Sequence, residues 1–398
     1  MVVAEGEAHR GPWRMNASDF RWVDDPSAAY TENGDLLVVW VDQEAQEVKL
    51  QRFGGNERAT RFSEPTVVSR SPSVFSWLPR VTVSRDEKGD ETVHVLWQEI
   101  LFTGGTHGGE IFYARSTDGG HSFDSPLNLS NTEGGAGKGR QTQRRWHNGS
   151  LDLLVAQDGT VYAVWTEYDG GLYLSRSDDN GATFHDPVHV AGNDHRPARG
   201  PALARASHGM LALAWTQGET VTADIQVAFS EDRGESFSEP AVPVEDDMMA
   251  DAPKLAFDSE DRLHVLFSRS PGFDLENSEV VHASFSLNAP TAVSDPVILA
   301  SGGAGFPDLA IDGKDRLHMI WHDAARGGRR VAALHYQRAK ADRPASDESS
   351  LLPGSDEVMG GGLQGLLVRK IALGADDEIA IVHSLFDDAE NQSSIILW

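Results

Sequence analysis

Three eight-residue stretches constrain this chain more than anything else in it. Residues 116–123 (STDGGHSF), 177–184 (SDDNGATF) and 230–237 (SEDRGESF) share the pattern S-x-D-x-G-x-[ST]-F. In each, the aspartate is placed to accept backbone N–H groups of its own turn, and the glycine supplies a left-handed residue. The closing phenylalanine then plugs the turn onto an apolar layer. Short β-rich runs flank each copy, such as Ile111-Phe112-Tyr113-Ala114 before and Pro126-Leu127-Asn128-Leu129 after, so each reads as a hairpin turn.

A longer repeat contains these turns. An apolar run, a polar turn and an alternating run ending in an aromatic recur every ~45–65 residues. The endings are Trp40, Trp97, Trp165, Trp215, Phe267, Trp321 and, in degenerate form, His383. Each repeat continues into a third and often a fourth strand, and no segment carries a helical period. The spacing predicts an all-β fold: a single β-propeller domain over 1–398 with seven four-stranded antiparallel blades. Six blades remain an alternative if the first or last copy is incomplete. The last repeat stops after a third strand, and residues 11–16 are expected to supply its fourth, closing the ring by pairing the two termini and removing a free sheet edge. Residues 339–362, rich in Ser, Asp, Pro and Gly, read as an irregular surface loop.

Composition narrows the chemistry. The chain has no cysteine, which removes disulfides, thiolate metal sites and cysteine nucleophiles. A formal net charge of −27 argues against general nucleic-acid binding and favours solubility. No apolar run reaches the ~18 residues that a membrane-spanning helix needs. Residues 1–10 are too polar for a secretory leader.

Strand alternation assigns the loops to two ends. The turns joining strands one to two and three to four share one end, which includes the three aspartate turns and is mainly acidic; it reads as scaffold. The other end carries the loops between strands two and three and the crossings between blades, and is basic. Lys138, Arg140, Arg144, Arg145, Trp146 and His147 lie on one crossing, His195, Arg196 and Arg199 on the next, and Arg326, Arg329 and Arg330 on a loop of the sixth repeat. Arginine makes two-point contacts to carboxylate or sulfate, so this mouth is expected to take an anionic ligand. The alternative is that these arginines pair with neighbours such as Glu167 and Asp194. Acids on the same end, Glu99, Glu167, Asp251, Asp308 and Asp323, are candidates for the two carboxyl groups of glycoside hydrolysis. His147, His195 and His322 do not repeat and are candidate acids or bases, with Tyr168 beside Glu167 as a proton carrier or a sugar platform next to Trp146. His94, His264 and His318 recur at one register, with Tyr162 in their place in the third repeat, and read as structural. No ligand spacing points to a metal and no cofactor is expected; a calcium ion on carbonyls and carboxylates would leave no trace in the sequence.

The three turns resemble the Asp-box of the sialidase-like, or BNR-repeat, β-propeller superfamily, and the likeness extends over nearly the whole chain. That resemblance implies a propeller fold, with the boxes as structural turns away from the active site. Sialidases of the superfamily use three arginines for the sugar carboxylate, a Tyr–Glu nucleophile and an aspartate acid. Here Leu78-Pro79-Arg80-Val81 is only a partial counterpart of their opening motif, which makes Arg80 a candidate for substrate binding, and no tyrosine follows Tyr336. Similar propellers include uronate-directed polysaccharide lyases that rely on His, Tyr and Arg, which His147, Tyr168, Arg196 and Arg199 would match. The expectation is a secreted or periplasmic enzyme cleaving a glycosidic bond at an acidic sugar. A uronate-directed lyase is one alternative, and a non-catalytic glycan- or protein-binding propeller is the other.

Overall fold

The computed structural model describes residues 1–9, 11–54, 64–85, 89–101, 109–132, 135–142, 145–148, 151–286, 289–323, 333–345, 348–356 and 369–398. Seven antiparallel sheets follow one another along the chain as the blades of a propeller. Their first strands are Val23–Tyr30, Ser76–Arg85, Leu151–Val155, Ala198–Arg205, Met249–Phe257, Ala304–Ile311 and Ile371–Leu373. The second strands are buried on both faces, as in Leu36–Asp42 and Val161–Thr166, which explains their almost uninterrupted apolar sequence. Their aromatics Trp40, Trp97, Trp165, Trp215, Phe267 and Trp321 are 0–2% exposed and pack blade against blade. Helix is confined to the single 3₁₀ turns Leu275–Asn277 and Ala375–Asp377 among the described residues.

The three S-x-D-x-G-x-[ST]-F turns share one geometry. In the second, Asp179 accepts the Ser177 hydroxyl at 2.8 Å, the Thr183 amide at 2.8 Å and the Thr183 hydroxyl at 2.6 Å, while the Gly181 amide donates to Ser177 Oγ at 2.8 Å. Gly181 sits at φ +79°. The same set recurs around Asp118 and Asp232. An arginine on the preceding blade's third strand donates into each turn: Arg52 to the Gly119 carbonyl at 3.0 Å, Arg115 to the Asn180 carbonyl at 3.1 Å and Arg176 to the Arg233 carbonyl at 3.0 Å. The turns therefore lock neighbouring blades together as well as closing hairpins.

Five first strands begin with a β-bulge whose residue is left-handed and precedes proline: Asp25, Leu78, Gly200, Ala252 and Phe306, with φ between 53° and 59°. Proline bars the residue before it from the right-handed helical region, and the bulge turns the next side chain inward. Each register shift spans this pair, as between Trp77 and Arg80 or Gly305 and Asp308. The positions after the bulges include Arg80, Lys254 and Asp308, which are buried.

Two expectations change in detail. The termini do pair, but the closing strand is Val2–Glu7 against Gln392–Leu397, not residues 11–16, which form turns beside it. The stretch 339–362 is not wholly irregular: it contains Ser350–Leu351, the fourth strand of blade 6, and its residues 357–362 lie outside the described residues. Blade 4 has three strands, its outer position reduced to the Val227–Ala241 bridge.

Candidate functional site

The loop between the second and third strands of blade 3 organises the mouth. The Glu167 amide donates to the Gly171 carbonyl at 2.8 Å and the Gly170 amide to the Glu167 carbonyl at 3.0 Å, a tight turn in which Gly170 sits at φ +92°. A side chain on Gly170 would come within 2.6 Å of Pro197, so only glycine lets this turn lie against the next crossing. On one side, Tyr168 N donates to Gly135 O at 2.9 Å and Gly137 N to Thr166 O at 2.7 Å. On the other, Ala198 N donates to Gly170 O at 2.8 Å. The loop is thus wedged between the crossing that leads to His147 and the crossing that carries His195 and Arg196, both exposed.

Glu167, Tyr168, Asp169, Tyr173 and residues 130–132 line a cavity of about 480 Å³ at this junction. Burial pushes the Glu167 carboxyl up to about 7; the nearby Trp165 indole opposes this, and Asp169 and Glu110 add to it. Glu110 is held beneath by Thr132, whose hydroxyl donates to it at 3.0 Å, and by the Ser130 hydroxyl. Tyr173 is pushed up by burial and by the charges of Glu167 and Asp169. Two carboxyl groups in one cavity, one of them kept protonated near neutrality, form an arrangement suited to proton donation.

The other expected residues have different settings. Glu99 is buried, accepts the Trp97 indole N–H at 3.0 Å and is raised by burial. Asp251 accepts Thr216 Oγ1 at 2.9 Å, its own neighbour Ala252 N at 2.9 Å and Arg199 at 3.3 Å. Arg199 is fully buried and also donates to the Gly218 carbonyl, so its charge is spent inside the protein. Asp308 receives the amides of Lys370 at 2.5 Å and Ile371 at 2.9 Å. Glu99 stands in blade 2 and Glu167 in blade 3, whereas Asp251 lies on the first strand of blade 5 and Asp308 on that of blade 6. His147, Trp146 and Arg145 lie on the strand Arg145–Asn148, paired with Lys138–Thr142 so that His147 faces Gly139. Arg144, Arg326, Arg329 and Arg330 lie outside the described residues. The repeating histidines are internal: His94 bonds Ser84 and Tyr113, His264 bonds Asp258 and His282, and His318 bonds Asp312 and Tyr336.

Arg80 belongs to a second assembly on the propeller axis. Arg80, Asp152, Lys254, Asp308, Arg369 and Lys370, from five blades, lie within electrostatic reach of one another. Arg369 clasps Asp152 through Nε at 2.9 Å and Nη2 at 2.6 Å. Burial alone would lower Arg369 and raise Asp152, but this pairing outweighs it in both. Asp25 is raised well above the carboxylate range by burial and by Asp24. Burial brings Lys254 down to about 8 and Lys370 to about 7. The sequence signal for this ring was the recurring X-Pro-X at strand starts; Asp169, Arg369 and Lys370 had no such mark.

No protein-family model matches the chain, and no curated protein matches it in sequence. Among solved structures it is similar to a PL25 ulvan lyase (TM-score 0.56, 10% identity, covering 100% of this chain and 94% of that one). It is also similar to a protein of unknown function from Dyadobacter fermentans (0.53, 14%, 85% and 97%) and to a GH93 α-L-arabinofuranosidase of Fusarium graminearum (0.51, 12%, 81% and 92%). At these identities the likeness bears on the fold alone, that of a β-propeller.

Proposed function

We propose that this protein is a glycoside hydrolase acting on an acidic glycan at the blade 2–blade 3 side of the propeller mouth. The observation that carries the reading is the cavity shared by Glu167 and Asp169, with the Glu167 carboxyl held at about 7. Glu167 is the proton donor to the leaving oxygen, and Asp169 is the second carboxylate that hydrolysis requires. Tyr168 and Tyr173 offer ring faces to a sugar, and exposed Arg196 on the adjoining crossing offers a two-point contact to its acidic group. Action outside the cytoplasm, secreted or periplasmic, accords with this substrate class. The solved neighbours support carbohydrate chemistry on this fold: one is by its title an arabinofuranosidase, another an ulvan lyase.

The ulvan lyase matches the whole chain, which favours uronate-directed elimination as the second reading; Tyr168 would then be the proton carrier and Arg196 the carboxylate's partner. A digestion panel of sialosides and uronate-containing polysaccharides separates the two. New reducing ends without ultraviolet absorbance from unsaturated uronate, abolished in Glu167→Gln, are the expected result. Reducing ends with that absorbance, surviving in Glu167→Gln and lost in Tyr168→Phe, would replace hydrolysis by elimination. Binding of an acidic glycan with no product of either kind would leave a binding propeller.

A further inference from the structure

The N-terminal segment carries an aromatic tip outside the groove at Glu167. Trp13 is 41% exposed, although its ring stacks on Phe20 at 5.8 Å and 25° and reaches Phe75 at 6.4 Å. Phe20 and Phe75 continue inward to buried Trp22 and Trp77. The tip is the outer end of an aromatic stack anchored in the core, so its ring is backed and held in place. The backbone around it is fixed as well. Gly11 N donates to Asp19 O at 3.2 Å and Arg14 N to Ser18 Oγ at 2.6 Å. The Asn16 side chain donates to Ile100 O at 2.9 Å and accepts Phe75 N at 3.0 Å, and Gln46 donates to Asn16 O at 3.1 Å. Gln46 and Ile100 lie on the second-to-third-strand loops of blades 1 and 2, so the tip stands at the mouth end. Arg14 beside it is exposed and has no ion pair among the described residues, whereas Arg21, Arg52, Arg85 and Arg115 are each paired. An open ring and an unspent guanidinium suit an acidic sugar, the ring taking its C–H face and the guanidinium its carboxylate.

Backbone pairs connect this tip to the groove. Glu167 pairs with Ala136 and Ala136 with Gly109, and Gly109 lies so close to the Glu99 carbonyl, next to Ile100, that a side chain there would strike it. At a strand spacing of about 4.8 Å, these steps place Asn16 within about 20 Å of Glu167. That is the length of a short oligosaccharide, not of one sugar. We propose that Trp13 and Arg14 form a remote subsite for one acidic sugar of an extended glycan whose scissile bond lies at Glu167. The inference rests on the reading that the mouth cleaves an acidic glycan, and it adds that the substrate is a chain several sugars long.

The test is affinity electrophoresis of the full chain in gels that contain polygalacturonate, hyaluronan, ulvan or neutral dextran. Retardation by an acidic polymer and not by dextran is expected. It falls severalfold in Trp13→Ala and in Arg14→Gln, persists in part in Trp13→Phe and survives in Glu167→Gln; thermal unfolding establishes that the variants are folded. In digestions, Trp13→Ala lowers kcat/KM more on the polymer than on its shortest cleaved fragment. Retardation equal in the parent and Trp13→Ala, equal with dextran, or absent with every acidic polymer overturns the subsite, even where a short uronide or sialoside is cleaved in a Glu167-dependent way. Trp13-dependent retardation without any product overturns the cleavage reading and supports the subsite. A dimer in size-exclusion chromatography that Trp13→Ala dissociates assigns the tip to a second copy and overturns the proposal.

Discussion

At the scale of single residues, the protein separates carboxyl groups by what surrounds them. Glu167 lies over buried Glu110 and beside Asp169, and is held up to about 7. In the proposed role of proton donor it is competent only while protonated, so the proposed glycosidase activity should fall as pH rises through 7, and a pH–rate profile of kcat checks this. Asp118, Asp179 and Asp232 are the reverse. Bonds from their own serine or threonine hydroxyls and from turn amides outweigh burial and hold them down to about 2. Their folded values lie below the ordinary 3.8 of the unfolded chain. The stability they add is therefore complete above about pH 4 and is lost as pH falls toward 2. Asp179→Ala should cost about 2 kcal/mol in denaturant unfolding at pH 7, with a smaller difference from the parent chain at pH 3.

At the scale of elements, the hairpin turn is a joint between blades. Arg115 reaches from the third strand of blade 2, ion-paired with Asp124 at 3.0 Å, to the Asn180 carbonyl in the turn of blade 3. Arg52 and Arg176 repeat the contact one blade earlier and one later. Arg115→Ala should lower stability by about 1–2 kcal/mol, and hydrogen exchange should show the loss in residues 177–184 as well as in blade 2. Much of this was legible beforehand. Glycine and aspartate spacing marked the turns because a left-handed residue and a local acceptor are needed there whatever the rest of the chain does. The arginines were not, because their acceptors are backbone carbonyls some 65 residues away. The groove was half legible: Glu167 and Tyr168 stood beyond a blade tryptophan, but Asp169 carried no mark in the sequence and is brought in by the fold, with Tyr173 and residues 130–132 around it.

At the scale of the whole molecule, two devices hold the ring. Turns at the scaffold end bond consecutively, Arg205 to Asp158 at 2.9 Å, Ser207 to Asp261 at 2.8 Å and Ser259 to Asp315 at 2.8 Å, linking blades 3 to 6. The ring then closes through Val2–Glu7, whose strand completes blade 7, with the Met1 ammonium donating to the Leu397 carbonyl at 2.7 Å. Deleting residues 1–7 removes that ladder and leaves Gln392–Leu397 as an open edge. The unfolding midpoint should fall by several degrees in calorimetry, and size-exclusion chromatography should show association through the bare edge.

The sequence by itself determined the repeat, the hairpin turns and the internal setting of the recurring histidines, because each depends on local geometry repeated at a fixed spacing; that the repeats make seven blades was settled by the sheet pairing. Only the tertiary structure decided which charges remain available. Arg199 and Asp251 are neutralised by each other, Arg80 is drawn into the axis, and Glu167 and Asp169 are left in an open groove. These outcomes turn on burial and on partners from other blades, and no spacing along the chain encodes which blade will supply a counter-charge.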